Sequence, residues 1–338
     1  MKICVYGAGA IGGMLGVLLA RAGQQVSLVA RGAHLQAMKR HGARLLIDGA
    51  EQVAHMPCTD DARELGHQDL VLLTLKAHSL PAAVPAIAPL LGPDTAIVTG
   101  TNGIPYWYFD RFGGPLQGAV LDSVDPGGQQ MRQFGAPRAI GCVLNPAADV
   151  VAPGVIRHVH GRKFPIGEPD GRTTERVLAL QQAMQAAGLE APIRADIRDE
   201  IWLKLWGNLC LSPISALTHA TLDRLVADTD ARAVCLAMME EARRVGDCIG
   251  VRLRVDAQKR LDGAASIGAH KISMLLDVEH GRPLEIDPIV TVVQEIARRV
   301  AVATPTIDIV AALIRLRERE LLRRTSDPDS TASVEVPG

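Results

Sequence analysis

Three glycines at a fixed spacing lie between a short apolar run and a helix-like segment near the start of the chain. The residues are Gly7-Ala8-Gly9-Ala10-Ile11-Gly12. In this pattern the first glycine permits a tight turn, the second lets the backbone approach a pyrophosphate, and the third lets helix and strand pack closely. The start of the following helix offers N–H groups to the phosphates. All six residues are therefore predicted to form a dinucleotide-binding loop, and a glycine turn without a ligand is the alternative.

The end of the second predicted strand indicates which dinucleotide would bind. A fold specific for NAD usually has Asp or Glu there, which accepts a hydrogen bond from the ribose 2′-hydroxyl. This chain has no acid in residues 26–32 and has Arg31 instead. A guanidinium can hold a 2′-phosphate in a forked, charge-assisted pair. Arg31 therefore favours NADPH, and a surface arginine of no special role is the alternative.

Two polar residues follow two further apolar runs of strand length. Lys76 comes directly after residues 69–75, and Asn102 follows residues 95–99. Ligands bind outside the carboxyl ends of the strands in open α/β sheets, so both side chains are expected to face the cofactor. Asn102 precedes a glycine, and Asn-Gly is also an ordinary turn sequence. The strand pattern alone therefore leaves the assignment of Asn102 open.

A helix-like segment in the second half carries two polar side chains on an apolar background. Within residues 201–211 these are Lys204 and Asn208, and a spacing of four places them on one helical face. Ser212 extends this face by another turn. Because a buried lysine without a partner is costly, the face is expected to line a wet cleft or meet a ligand. A lysine that snorkels from a half-buried helix is the alternative.

A second group of polar residues lies near the start of a later predicted helix. It consists of Ser273, Asp277 and Glu285. Such side chains serve as helix caps as readily as they bind ligands. Their spacing by itself does not distinguish the two roles.

The elements that must position these residues change character along the chain. The first half alternates uninterrupted apolar runs with helical segments, as in a parallel sheet covered on both faces. After residue 170 the apolar residues recur at helical spacing. We therefore predict an α/β fold with an N-terminal Rossmann-type doubly wound sheet and a C-terminal all-helical domain. The predicted limits are 1–170 for the sheet domain, 171–325 for the helical domain and 326–338 for a disordered tail.

Two segments of the first half differ from the rest in composition or in polarity pattern. Residues 113–137 are rich in Gly, Pro and Gln, which predicts an irregular or hairpin excursion. Residues 154–167 alternate in polarity like an antiparallel hairpin that closes the sheet.

The composition argues against several classes of partner. The 338 residues carry a net charge of −1 and 3% aromatics, which disfavours nucleic acid and anionic membranes as partners. No uncharged apolar run reaches the length of a membrane span. The six cysteines are scattered without a CxxC pair, as in a cytoplasmic protein with reduced thiols and no metal site. A small molecule is the expected partner, and the chain is expected to be a monomer or a homodimer.

Taken together, the motifs resemble the ketopantoate reductase family (2-dehydropantoate 2-reductases) over nearly the whole chain. The matching stretches are GAGAIGG from Gly7, Arg31, LTLKA (73–77), TNG (101–103), IRDEIWLKLWGN (197–208), and SMLLD with GRPLEID between Ser273 and Asp287. The resemblance implies a Rossmann domain joined to a helical domain, with the active site in the cleft between them. The implied reaction is the NADPH-dependent reduction of 2-dehydropantoate to (R)-pantoate, a step of pantothenate and coenzyme A synthesis.

The resemblance also implies roles for individual residues. Lys204 corresponds to the family's proton-donating lysine, and Glu285 to its glutamate near the cofactor and the substrate. Lys76 and Asn102 correspond to a cofactor-contacting pair, of which Asn102 also lies near the substrate. The resemblance therefore implies that Lys204 and Glu285 are the catalytic residues and that Glu285 also contacts the cofactor.

The substrate-binding positions implied by the family are only partly matched. Asn208 and Ser273 agree with the family pattern, whereas Ser212 stands where well-known members have asparagine. A further family asparagine falls on Leu222. A related NADPH-dependent reductase of another 2-oxo acid or ketone is therefore one alternative. A non-catalytic NADPH-binding sensor is the other, although a sensor has no need of the proton donor Lys204.

Overall fold

The computed structural model describes residues 1–326 of the chain. Contacts between residues divide the chain into two compact units, Met1–Ile201 and Trp202–Gly338. Unit 1 is a mixed α/β structure, and the described residues of unit 2 form helices without a strand. The predicted fold class is confirmed.

Unit 1 is built on strands joined by short helices. Its strands are β1 (Lys2–Tyr6), β2 (Gln25–Val29), β3 (Ala43–Ile47), β4 (Ala50–Ala54), β5 (Cys58–Thr59), β6 (Gln68–Leu73), β7 (Leu91–Thr99), β8 (Ala139–Cys142), β9 (Ala147–Ala152), β10 (Val155–His160) and β11 (Ile166–Gly167). Its α-helices are α1 (Ala10–Arg21), α2 (Gly32–His41), α3 (Leu80–Ile87), α4 (Gln129–Phe134) and α5 (Glu175–Ala186).

The main sheet has seven strands in the order β11-β8-β7-β6-β1-β2-β5. All neighbouring pairs are parallel except β11 with β8. The chain runs from β1 outward to β2 and β5, then returns to the other side of β1 at β6 and continues through β7 and β8. In doubly wound folds, ligands bind at the carboxyl ends of the strands where the direction reverses in this way. The reversal at β1 therefore marks the edge on which a ligand site is expected.

A second sheet of four strands has the order β4-β3-β10-β9, with β3 and β10 parallel. Helix α1 contacts both sheets through glycines. A Cβ at Gly16 would lie 2.5 Å from Leu28 Cδ2 of β2, and one at Gly13 would lie 2.7 Å from Ile156 Cδ1 of β10. The small residues of α1 thus allow it to be packed on two sides.

Unit 2 contains the remaining helices. They are α6 (Ile197–Thr218), which begins in unit 1, α7 (Leu222–Ala227), α8 (Thr229–Ile249), α9 (Ala257–Ala265), α10 (Ser273–Glu279), α11 (Val292–Arg299) and α12 (Pro305–Ser326). A π-helical turn at Asp287–Thr291 leads into α11. Within residues 1–326 no helix is both long enough and apolar enough to cross a bilayer.

Some predicted elements differ from the structure. Residues 154–167 do not form the predicted hairpin, because β10 pairs with the preceding β9 in the second sheet. The expected antiparallel closure of the main sheet is confirmed for β11, which pairs with β8 at its edge. Residues 113–137 contain no strand, and a 3-10 turn leads into α4 there. Helix α6 continues to Thr218 despite Pro213.

The change from strands to helices falls after β11, near the predicted boundary at residue 170. The contact division falls later, because α5 packs into the core of unit 1 through Val177, Leu180 and Met184. The domain limits 1–170 and 171–325 stay a prediction. Apart from its first residue, the tail predicted at 326–338 lies outside the described residues.

Helix α12 begins against a carboxylate of another helix. Glu241 of α8, with 4% of its surface exposed, accepts hydrogen bonds from Thr306 N (2.9 Å) and Ile307 N (3.0 Å). The first N–H groups of a helix have no acceptor within the helix. A buried carboxylate satisfies them here and also meets the positive end of the helix dipole.

We expect Glu241→Gln to lower the free energy of unfolding by about 1.5–3 kcal/mol, the range for hydrogen bonds to a charged group. Urea unfolding followed by circular dichroism measures the change. The matched control is Glu240→Gln, which alters the exposed neighbour that pairs with Arg243 at 2.6 Å and should change stability by less than about 0.5 kcal/mol. Equal losses in the two variants would contradict the capping role of Glu241.

Candidate active site

Four of the predicted residues lie just beyond the carboxyl ends of neighbouring strands of the main sheet. The register places the last residues of β7, β6, β1 and β2 side by side. Gly7 directly follows β1, Arg31 lies two residues beyond β2, and Lys76 and Asn102 lie three residues beyond β6 and β7. Lys76 and Asn102 are both half-buried. The structure thus brings these four residues to one edge of one sheet, where the winding direction reverses.

The glycine loop needs glycine at its first and last positions. Gly7 has φ +104°, and a Cβ there would lie 2.8 Å from Leu75 N. A Cβ at Gly12 would lie 2.2 Å from Gly7 O and 2.4 Å from Thr74 Oγ1. No side chain fits at these distances, so both glycines are required by the turn and by the close packing of α1.

The middle glycine meets a different requirement. Gly9 is exposed, and a Cβ there would meet nothing within 4 Å. Its position directly precedes α1, whose first N–H groups have no acceptor in the helix itself. Open backbone at the N-terminus of a helix suits the pyrophosphate of a dinucleotide. The loop Gly7–Gly12 therefore fits a dinucleotide cofactor.

Two side chains that the sequence did not single out hold this loop in place. Thr74 Oγ1 donates to Gly7 O at 2.9 Å. The ring of His34, on α2, has its Nε2 2.8 Å from Ala8 O, and its Nδ1 lies 2.9 Å from Gly154 N. Because Nδ1 must accept from the Gly154 N–H, the proton is on Nε2, which donates to Ala8 O. His34 thus joins the glycine loop to the segment before β10.

Arg31 lies at the carboxyl edge of the main sheet, two residues beyond β2. It is exposed, and its positive charge lies near the hydroxyl of Tyr6, the last residue of β1. Burial raises the pKa of Tyr6, and the nearby positive charge of Arg31 opposes this rise. A cation at this position lies next to the glycine loop and remains accessible to a ligand.

Helix α6 places Lys204 and Asn208 on an accessible strip between buried faces. Both side chains are half-buried, whereas Ser212 has 1% of its surface exposed. Ser212 Oγ has no hydrogen-bond partner among residues 1–326. The structure thus supports one helical face for the first two residues, and it places Ser212 inside the helix packing.

Two tryptophans fix the rotation of this part of α6 in unit 2. Trp206 Nε1 donates to Met239 O of α8 at 2.6 Å. A Cβ at Gly246 of α8 would lie 2.9 Å from Trp202 Nε1, so the indole packs directly on the glycine backbone. With these side chains turned toward α8, Lys204 and Asn208 are turned away from the core.

The first turn of α6 is anchored within unit 1. The buried Arg198 donates from Nε to Tyr108 O at 2.8 Å, and the Tyr108 hydroxyl donates to Arg198 O at 3.1 Å. Arg198 also donates to Pro169 O and Asp110 O. Burial lowers the pKa of Arg198. A guanidinium that binds several carbonyl groups holds the first turn of α6 in place within unit 1.

The other predicted residues of unit 2 lie around α10. Ser273 is its exposed first residue, and no side-chain hydrogen bond caps the helix at Ile272. Glu285 is buried, with 3% of its surface exposed, in the segment that leads to the π-helical turn. Asp277 is buried and pairs with Arg282 at 3.2 Å. Leu222 is buried in the core and presents no polar group.

In the part of the chain that the structure describes, no cluster of three or more His, Cys, Asp or Glu side chains is placed to hold a metal ion. The chemistry available at the predicted residues is therefore that of ammonium, guanidinium, carboxyl, amide and hydroxyl groups. These groups can bind anions and transfer protons.

Comparison with known proteins identifies the family. The model of "Ketopantoate reductase PanE/ApbA" matches residues 3–107, and that of its C-terminal domain matches residues 196–318. A 2-dehydropantoate 2-reductase from Mesorhizobium japonicum is 54% identical over 316 residues, which cover 93% of this chain and 97% of that protein. The chain belongs to the ketopantoate reductase family, whose members are NAD(P)-dependent oxidoreductases.

Solved structures share the fold over almost the full length. A candidate ketopantoate reductase from Ralstonia solanacearum MolK2 aligns with a TM-score of 0.90 and 42% identity, covering 94% of this chain and 98% of that one. A D-mandelate dehydrogenase in complex with NADH and anilino(oxo)acetate aligns with a TM-score of 0.83 and 22% identity, covering 95% and 99%. The second similarity is one of fold alone.

We expect His34→Ala to weaken nucleotide binding about fivefold, because the loss of a neutral hydrogen bond to Ala8 O costs about 1 kcal/mol. Isothermal titration calorimetry with NADPH and with NADH measures the effect, which should be similar for both cofactors. His41→Ala, at the exposed end of the same helix, is the control. An unchanged Kd in the His34 variant would show that the loop keeps its shape without the imidazole.

Proposed function

We propose that this protein is an NADPH-dependent 2-dehydropantoate 2-reductase that reduces 2-dehydropantoate to (R)-pantoate in the cytoplasm. The observation that carries the proposal is the accessible Lys204–Asn208 strip on α6, in a chain whose 54%-identical relative bears this name. An ammonium beside an amide suits a substrate with a carbonyl group and neighbouring oxygens.

The proposed cofactor site uses residues at the edge of the main sheet. The backbone of Gly7, Gly9 and Gly12 and the start of α1 would bind the pyrophosphate. Arg31 would pair with the 2′-phosphate that distinguishes NADPH from NADH, because it is exposed and no acid lies beside it in residues 26–32. Lys76, Asn102 and Glu285 are assigned to the cofactor from the family pattern.

The proposed mechanism assigns the proton transfer to Lys204. NADPH, when bound, supplies the hydride that reduces the carbonyl carbon of the substrate. The Lys204 ammonium donates a proton to the carbonyl oxygen as negative charge develops there, which also stabilises that charge. Because Lys204 is half-buried and not enclosed, the resulting amine can regain its proton from water.

The remaining residues have supporting roles in this proposal. Asn102, Asn208 and Ser273 would hydrogen-bond the substrate, and Glu285 would orient Lys204 or a substrate hydroxyl. Ser212 belongs to the same predicted set, but its side chain is buried within the helix packing, so this proposal assigns it no contact with the substrate.

The second candidate function is reduction of another 2-oxo acid. It is favoured by the burial of Ser212 and Leu222, since the family's asparagines at these positions would carry larger polar groups. NADPH oxidation, followed at saturating cofactor with 2-dehydropantoate and a panel of 2-oxo acids, separates the candidates. The highest kcat/KM for 2-dehydropantoate supports the first function. A higher value for another acid supports the second, and NADPH binding without turnover of any compound indicates a sensor.

We expect Arg31→Ala to weaken NADPH binding by about 1.5–3 kcal/mol, as for a lost hydrogen bond to a charged group, and to leave NADH binding nearly unchanged. Calorimetry with both cofactors measures the difference. Arg40→Ala, an exposed arginine of α2, should alter neither affinity. Equal losses for NADPH and NADH would reject the assignment of Arg31 to the 2′-phosphate.

We expect Lys204→Ala to lower kcat by at least about 100-fold, because general acid catalysis contributes about 10²–10⁴ in rate. The Kd of NADPH should stay the same. Lys204→Arg should also be slow, since a guanidinium keeps its charge but gives up its proton poorly. Steady-state kinetics on folded protein, with the exposed Lys259→Ala as control, provides the test. Normal turnover of the Arg variant would make Lys204 an electrostatic group only, and normal turnover of the Ala variant would reject the assignment.

A further inference from the structure

A second cation lies against α6 within one helical turn of Lys204. Arg260 of α9 is half-buried, and its guanidinium packs on Gly207. A Cβ at Gly207 would lie 3.2 Å from Arg260 Nη2, 3.3 Å from Nε and 3.6 Å from Cζ. The charged group itself, and not the aliphatic stem, therefore covers the glycine. Gly207 follows Lys204 by three residues, so these two positions are neighbours on the helix surface.

The charge of Arg260 has no carboxylate partner among residues 1–326. No hydrogen bond or ion pair of its side chain occurs there. The acids of its own helix region are engaged elsewhere. Asp262 pairs with Arg232 at 2.8 Å, and Asp256 accepts from Gln258 N and Lys259 N at the start of α9. Burial lowers the pKa of Arg260, and the nearby thiol of Cys210 opposes this effect.

A partly buried guanidinium without a counter-ion is unfavourable unless an anion binds to it. The planar fork of arginine matches a carboxylate with two parallel hydrogen bonds. The proposed substrate is a 2-oxo acid, whose carboxylate is bonded directly to the carbonyl carbon that is reduced. An anchor for that carboxylate must therefore lie near the proton donor. The Arg260 guanidinium packs on Gly207, which is one turn of α6 away from Lys204.

We propose that the Arg260 guanidinium, positioned on Gly207 of α6, binds the carboxylate of the substrate and thereby selects 2-oxo acids over neutral ketones. This inference rests on the proposed reductase function. Gly207 is part of the proposed binding site, since any side chain at this position would displace the guanidinium.

Two measurements test the proposal, and one of them does not depend on turnover. Binding of oxamate, a non-reducible 2-oxo acid analogue, is followed by the intrinsic fluorescence of the three tryptophans, Trp107, Trp202 and Trp206, in the presence of NADP⁺. Arg260→Met, which keeps the length of the stem, should weaken oxamate binding by about 10- to 100-fold. The control Arg232→Met removes a cation that already has a partner and should leave binding unchanged. Unchanged binding in Arg260→Met, or no binding by the wild type, overturns the proposal.

The second measurement compares 2-dehydropantoate with its methyl ester as substrates. In the wild type the acid should have the lower KM, and Arg260→Met should raise the KM of the acid to that of the ester without changing the ester's kinetics. If Arg260→Met changes the kinetics of the acid and of the ester equally, Arg260 has only a structural role. If the wild type reduces neither compound, the proposed function fails, while the oxamate experiment still decides whether Arg260 binds a carboxylate.

A further variant keeps the Arg260 side chain, so the proposal can still be tested if Arg260→Met does not fold. Gly207→Ala places a methyl group 3.2 Å from Nη2, which requires the guanidinium to move by a few tenths of an ångström. We expect a smaller loss of oxamate affinity, about three- to tenfold, with unchanged NADPH binding. Retention of full oxamate affinity would show that the position of the guanidinium on Gly207 is unimportant.

Discussion

The missing side chain at Gly12 is the constraint on which the rest of unit 1 depends. Because α1 can approach the end of β1 so closely, Thr74 reaches Gly7 O at 2.9 Å and ties β6 to the glycine loop. The same close approach continues along α1, where further glycines meet the two sheets. A helix held this tightly presents its N-terminus in a fixed direction, which is what binding of a phosphate group requires.

Helix α6 meets an opposite demand, because it must be apolar enough to pack and still present a lysine. The apolar and the polar side chains of α6 therefore lie on different faces of the helix. Trp202 and Trp206 bury their rings against α8, and Lys204 and Asn208 occupy the strip between the packed faces. A lysine with only part of its stem covered avoids most of the desolvation that a fully buried ammonium would suffer.

The sequence was sufficient where the pattern is local. The glycine loop, the first two strands and the helical character of unit 2 follow from spacing and periodicity within short windows. The second sheet was missed, because its central pair joins β3 to β10, which lie far apart in sequence and are short and partly exposed. The roles of His34 and Arg260 depend in the same way on residues far along the chain, so no local pattern marks them. The Lys204–Asn208 face was predictable, whereas the burial of Ser212 depends on packing with other helices.

The imidazole of His34 uses both of its nitrogens, one on the glycine loop and one on a backbone N–H that lies 120 residues further along the chain. That N–H belongs to the turn between β9 and β10, so the imidazole connects the second sheet to the loop. Thermodynamic coupling is reciprocal. Any ligand that orders the loop therefore also suppresses local opening of the β9–β10 hairpin, and slower amide hydrogen exchange in that hairpin reports on the state of a site that it does not touch.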